Sequence, residues 1–288
     1  MSNTADRDQN DFEVLPSPRD GVADFSQAFN SLRRSLKPAD AKLLTRPDEA
    51  FEDFIVRVAL GATSTTAALF RKNDSAADIK IQAWLALAGE KAKEFIIGND
   101  IAKFKGLSTT QLRELGKISV DPNSVHTITE TLSRNFGIVL IVLPAFTSMK
   151  MDGCTFRLNN GYPVVGISLR YNRYDNFWFT LMHELAHICL HYEQLDAPIV
   201  DDLDITNDSE IEIEANIIAK DSLIPRQYWR LIWNAKDNST TWLSLCKQAE
   251  VHPEIAAGMI RYQTKNYKLF PEHHHTMDMR KAFGIKDD

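Results

Sequence analysis

The chain has 288 residues, room for one large domain or two of roughly 150 residues each. Hydrophobic residues make up 44% of it, enough to bury a core, and 33 Lys and Arg against 39 Asp and Glu leave a net charge of −6, which argues against a nucleic-acid-coating protein and against direct nucleic-acid binding. Three widely spaced cysteines, Cys154, Cys189 and Cys246, with no CxxC, read as reduced thiols. The polar start MSNTADRDQNDFEV has no apolar signal segment, and the longest apolar run, GIVLIVLPAF, falls far short of the ~20 residues a membrane span needs. The expectation is a cytoplasmic protein that does not enter a membrane.

Along the chain, residues 1–22 are charged and Pro-containing and read as a disordered tail. Residues 23–116 form a helical N-terminal region: DFSQAFNSLRRSL puts Phe25, Phe29, Leu32 and Leu36 on one face, and DEAFEDFIVRVAL and ADIKIQAWLALAGEKAKEFI repeat the pattern. Pro38, Pro47 and Gly61 punctuate these segments. Residues 117–268 read as a second domain. It opens with a helix over SVHTITETLSRNF that Gly137 stops. GIVLIVL then reads as a buried strand, and CTFRLNNGYPVVGISLRY as a hairpin turning at Asn159, Asn160 and Gly161. A long helix follows, then an acidic loop, EQLDAPIVDDLDITND, the helix SEIEIEANIIAKDSLIP, and two closing helices. Residues 269–288 read as a C-terminal tail. Helices, a small antiparallel sheet, then helices again predict an α+β fold.

The long helix carries the chemistry. Residues 183–187 are His-Glu-Leu-Ala-His, and positions four apart on a helix lie about 40° apart around its axis, one turn above each other. The imidazoles of His183 and His187 can converge on one ion, while Glu184, offset to the side, can act as a general base without ligating it. Leu181, Leu185 and Ile188 supply the apolar stripe that seats such a helix. Catalytic zinc needs a third protein ligand and an open position. His191 continues the spacing, but a straight helix turns it about 80° from His183. His273, His274 and His275 lie in the polar tail. Glu212 and Glu214 on the next helix are about 200° apart, so only one can face the metal. Glu212 is favoured, since its face carries Ala215, Asn216 and Ala219, small enough for close helix approach, with Asn216 placed to hydrogen-bond a ligand. Ser209 with Glu212 also fits a capping box, which would divert that carboxylate; Asn207 with Glu210 fits an alternative cap. Tyr192, His191, Arg226 and Tyr228 are unranked candidates for oxyanion stabilisation, and one strand of the hairpin is a candidate exposed edge for an extended peptide.

The blocks FTLMHELAHICLHYE and EIEANIIAKDSLIP resemble the ImmA/IrrE family of zinc metallopeptidases, through its Phe-Thr-Leu-x-HELAH and Glu-x-x-Ala-Asn … Leu-x-Pro patterns. The resemblance covers roughly residues 120–265. It implies a zincin-like core, one Zn2+ per chain held by His183, His187 and Glu212, and Glu184 as catalytic base. It also implies a protein substrate, a partner helix-turn-helix repressor of stress or mobile-element genes in a bacterium or phage. The chain departs from the family in showing no clear helix-turn-helix in residues 23–116 and in its polar IIAKDSLIP. The other readings are a zincin-fold module that binds its partner without cutting it, one half of a toxin–antitoxin-like pair, and a DNA-binding regulator using its N-terminal helices or the 240–266 pair. An intact Glu184 favours the peptidase, because pure binding needs no base.

Overall fold

The computed structural model describes residues 18–65, 76–202, 209–274 and 277–285; most of the expected N-terminal tail, residues 1–17, and part of the acidic loop, 203–208, lie outside them. Helices α1 (Pro18–Ser35), α2 (Pro38–Ala41), α3 (Phe51–Thr65) and α4 (Ala76–Gly98) come first, then α5 (Thr109–Ile118). The helix expected before Gly137 breaks into a 3-10 turn (Pro122–His126), a short α6 (Ile128–Thr131) and a π turn (Leu132–Phe136). Gly137 ends it with φ at 70°, where a Cβ would collide with the backbone of residues 102–104.

Strands β1 (Val139–Val142), β2 (Met151–Arg157), β3 (Pro163–Ile167) and β4 (Ile199–Asp202) form one sheet in the order β1-β3-β2-β4. The β2–β3 hairpin and the β2–β4 pair are antiparallel, while β1 joins β3 in parallel, so the sheet is mixed. Two expectations change here. Ile199–Asp202, read as part of an acidic loop, is a strand. It covers the free side of β2, and β1 covers that of β3, so neither hairpin strand is an edge.

Both faces of the sheet are buried, as the unbroken apolar runs of β1 and β3 require. Val139, Ile141, Cys154, Phe156 and Val164 point into a core shared with α1, α3 and α4. Trp84 of α4 is fully buried and lies across Gly166, where a Cβ would come within 2.8 Å of its ring; its Nε1 donates to the Pro144 carbonyl at 3.0 Å. Lys80 Nζ adds a bond to the Thr147 carbonyl at 2.6 Å. Between α3 and α4, Arg57 bridges Glu49 and Glu90 at 2.7 Å each.

The opposite face belongs to α7 (Tyr174–His191), buried along most of its length between the sheet and a layer of helices. These are α5, α8 (Glu210–Leu223), α9 (Arg226–Asn234), α10 (Ser239–Gln248) and α11 (Pro253–Thr264). Gly116 of α5 lies directly against the Ser222 carbonyl of α8. The α11 helix, half of the pair considered for DNA binding, turns Ile255, Ala256, Ala257 and Ile260 into this core. Its buried Arg261 bonds Asp175 of α7 at 3.1 Å and the carbonyls of Leu269, Phe270 and His273. The segment read as a C-terminal tail returns to the core in a short α12 (Met279–Ala282): Met279 is buried, and the Phe283 ring sits 5.1 Å from that of Phe177. The α+β expectation holds, with the sheet as a shared middle layer. Among the described residues no helix is long and apolar enough to cross a membrane.

Because Trp84 joins the N-terminal helices to the sheet, Trp84→Ala should lower unfolding free energy in urea titrations by about 3–5 kcal/mol, the usual cost of emptying a large aromatic site.

Candidate metal centre

His183 and His187 sit one turn apart on α7, both buried, with Nε2 atoms 3.1 Å apart and rings edge-to-face. Glu212 approaches from α8: its Oε2 is 3.1 Å from His183 Nε2 and its Oε1 3.4 Å from His187 Nε2. One donor atom from each lies within 4.8 Å of the others. The close contact of α7 and α8 brings this about. Ala215 and Ala219 of α8 are fully buried in the core that α7 and α8 share, and their small side chains permit a close approach. Ser209 caps α8, its Oγ accepting from the Glu212 N–H at 3.4 Å. Only that half of the capping box forms; the Glu212 carboxylate is turned to the histidines instead.

This donor set fits a metal ion. Two imidazole nitrogens and a carboxylate oxygen converge on one small buried space, and a cation there satisfies two lone pairs and one negative charge at once. Burial lowers the basicity of His187, against the opposing pull of Glu212, and so favours the neutral form that ligates. Burial alone would raise the Glu212 carboxyl, but the neighbouring imidazoles of His183 and His187 outweigh it and bring it down to about 2.

Glu184 is buried on the side of α7 that faces the sheet. The Thr155 hydroxyl of β2 donates to its Oε2 at 2.6 Å. Gly153, also on β2, lies so close to Glu184 Oε1 that a Cβ there would overlap it, and would come within 2.8 Å of Thr180 Cγ2. The sheet thus shapes the carboxylate's seat, which the sequence pattern did not reveal. Cys154 between them points to the other face, against Gly166 and Trp84.

The remaining candidates separate clearly. Asn216 is half-buried and makes no hydrogen bond among the described residues. His191 stays outside the cluster, but its Nδ1 lies 3.3 Å from His187 Nδ1 and its Nε2 3.1 Å from Glu214 Oε2. Of the oxyanion candidates, Tyr192 donates its hydroxyl to the Gly161 carbonyl at 2.7 Å and Arg226 pairs with Asp221 at 2.7 Å. Tyr228 packs against the core. His273 stacks near Trp242, 5.2 Å between ring centroids, as part of the packed C-terminal segment.

Residues 134–261 match the family Peptidase_M78, described as the IrrE N-terminal-like domain. The matched segment runs from the π turn into α11 and contains His183, Glu184, His187 and Glu212. Comparisons of the chain with curated proteins and with solved structures give no match.

The shifts at His187 and Glu212 are both downward, so the unfolded chain binds protons before the folded one does and stability falls on acidification. In metal-free protein, His187 contributes a loss beginning as pH drops through its ordinary value of 6.5. Glu212 adds one between 4.5 and about 2. Chemical denaturation at a series of pH values should show both limbs, and Glu212→Gln should flatten the lower one.

Proposed function

We propose that the chain is a zinc-dependent endopeptidase, holding one Zn2+ through His183, His187 and Glu212 and using Glu184 as general base. The observation that carries the reading is the convergence of three buried donors beside a separate buried carboxylate that Thr155 holds. A binding module needs the first arrangement at most; pure binding does not need the second, whereas peptide hydrolysis needs a base. When bound, zinc would supply Lewis acidity toward a peptide carbonyl and toward water. The work of the chain's own residues is proton transfer and orientation. Glu184 takes the proton of the attacking water on a carboxylate oxygen and returns it to the leaving amine nitrogen. Thr155, bonded to Oε2, keeps that carboxylate from turning away. Gly153 leaves the room it occupies.

For the substrate, the resemblance to ImmA/IrrE peptidases supports a partner helix-turn-helix repressor, cut at a specific site, in the cytoplasm. The N-terminal helices, fastened through Trp84 to the far face of the sheet, then serve to present the partner rather than to bind DNA.

The test is cleavage of a purified candidate repressor by the full chain after zinc restoration, with zinc content measured in parallel. Glu184→Gln should keep its zinc and lose roughly 10²–10⁴-fold in rate, the range for removing a general acid–base group. Gly153→Ala should do the same for a different reason: its methyl displaces Glu184 while leaving the three donors in place. His183→Ala should lose both metal and cleavage. Undiminished cleavage by Glu184→Gln would remove it from the role of base.

A further inference from the structure

We infer that Glu214 and His191 are positioning residues that fix the protonation pattern of His187, and so set the affinity of the three-donor cluster for its metal; the inference rests on the metal reading above. His183, His187 and His191 form a ladder up α7, each one turn beyond the last, with ring centroids 4.7 Å and then 5.5 Å apart. The ladder ends at a carboxylate, with His191 Nε2 3.1 Å from Glu214 Oε2.

A carboxylate only accepts, so the proton of this bond sits on His191 Nε2. In a neutral ring the other nitrogen, Nδ1, is then an acceptor. His191 Nδ1 faces His187 Nδ1 at 3.3 Å, so the proton between them belongs to His187 Nδ1. His187 is left with its lone pair on Nε2, the atom that faces His183 Nε2 and Glu212 Oε1. Three steps of donor and acceptor bookkeeping therefore lead from a carboxylate on the surface of α8 to the ligating atom in the core. Metal-binding histidines are ordinarily oriented by such an outer partner on the second ring nitrogen. Here that partner is a second histidine, itself oriented by a carboxylate two residues from Glu212. The geometry also divides the labour of the partners: His191 is buried, with 5% of its side chain exposed, whereas Glu214 is 53% exposed. Altering Glu214 thus disturbs less packing than altering His191.

The experiment is zinc competition between the full chain and a chelator for the parent, Glu214→Ala, Glu214→Gln, His191→Leu and, as control, His183→Ala. Loss of an outer hydrogen-bond partner typically costs about 10–100-fold in metal affinity, and a loss in this range is expected for His191→Leu and Glu214→Ala. Glu214→Gln should stay near the parent, because its amide oxygen still accepts from His191. A loss in Glu214→Gln as large as in Glu214→Ala would make charge, not the hydrogen-bond chain, the cause, and would overturn the inference. Parent-like affinity in Glu214→Ala, with zinc lost in His183→Ala, would overturn the positioning role while leaving the metal site standing. A parent chain that binds no zinc would overturn both. Long-range 1H–15N spectra of the zinc-loaded protein give an independent reading, expected to show His191 protonated on Nε2 and bare on Nδ1. A proton on His191 Nδ1 would break the chain and overturn the assignment.

Discussion

The contact between α7 and α8 is the constraint on which the rest depends. It brings two imidazoles and a carboxylate, all buried, to one point inside the fold. An ionised carboxylate placed there costs several kcal/mol unless it is paired. Protons on the histidines can pair it only by giving up the lone pairs that the same geometry aims inward. Ala215 and Ala219 let α8 approach closely enough for the encounter, and α5 backs α8 through Gly116. The stability of this region and its chemistry are therefore coupled: the packing that closes the core also assembles the donors.

The sheet makes the second half of the site. Strand β2 presents Thr155 and Gly153 to Glu184 on one face and Cys154 and Phe156 to the N-terminal helices on the other. The alternation of side chains along one strand thus links the helical region to the position of the carboxylate, with Trp84 bearing on Gly166 one strand away. A strand held from both sides gives Glu184 a rigid wall, which a base aimed at a single water position requires.

Much of this was legible in the sequence because helical periodicity is a strong local signal. The placement of His183, Glu184 and His187 on a single helix follows from spacing alone, and the small residues beside Glu212 marked the face that α8 turns inward. What could not be read was non-local. Ile199–Asp202 is short and half acidic, and becomes a strand only because β2 offers it a partner. The parallel joining of β1 to β3 leaves no local trace. Spacing tests whether side chains can meet at one ion, and it set His191 aside on that ground. It does not test whether they can form a chain, which is what His187, His191 and Glu214 do. Asn216, expected to support a ligand from its position one turn beyond Glu212, is only half-buried and makes no such bond among the described residues. The outer bond that the structure supplies runs to His187 from its own helix.

X-ray absorption of the zinc-loaded full chain tests the central claim most directly, because it counts the atoms around the metal. The account predicts two imidazole nitrogens at about 2.0–2.1 Å with carboxylate or water oxygen at about 2.0–2.2 Å, and no sulfur. A sulfur scatterer at about 2.3 Å, or a shell of three or more imidazoles, would contradict it.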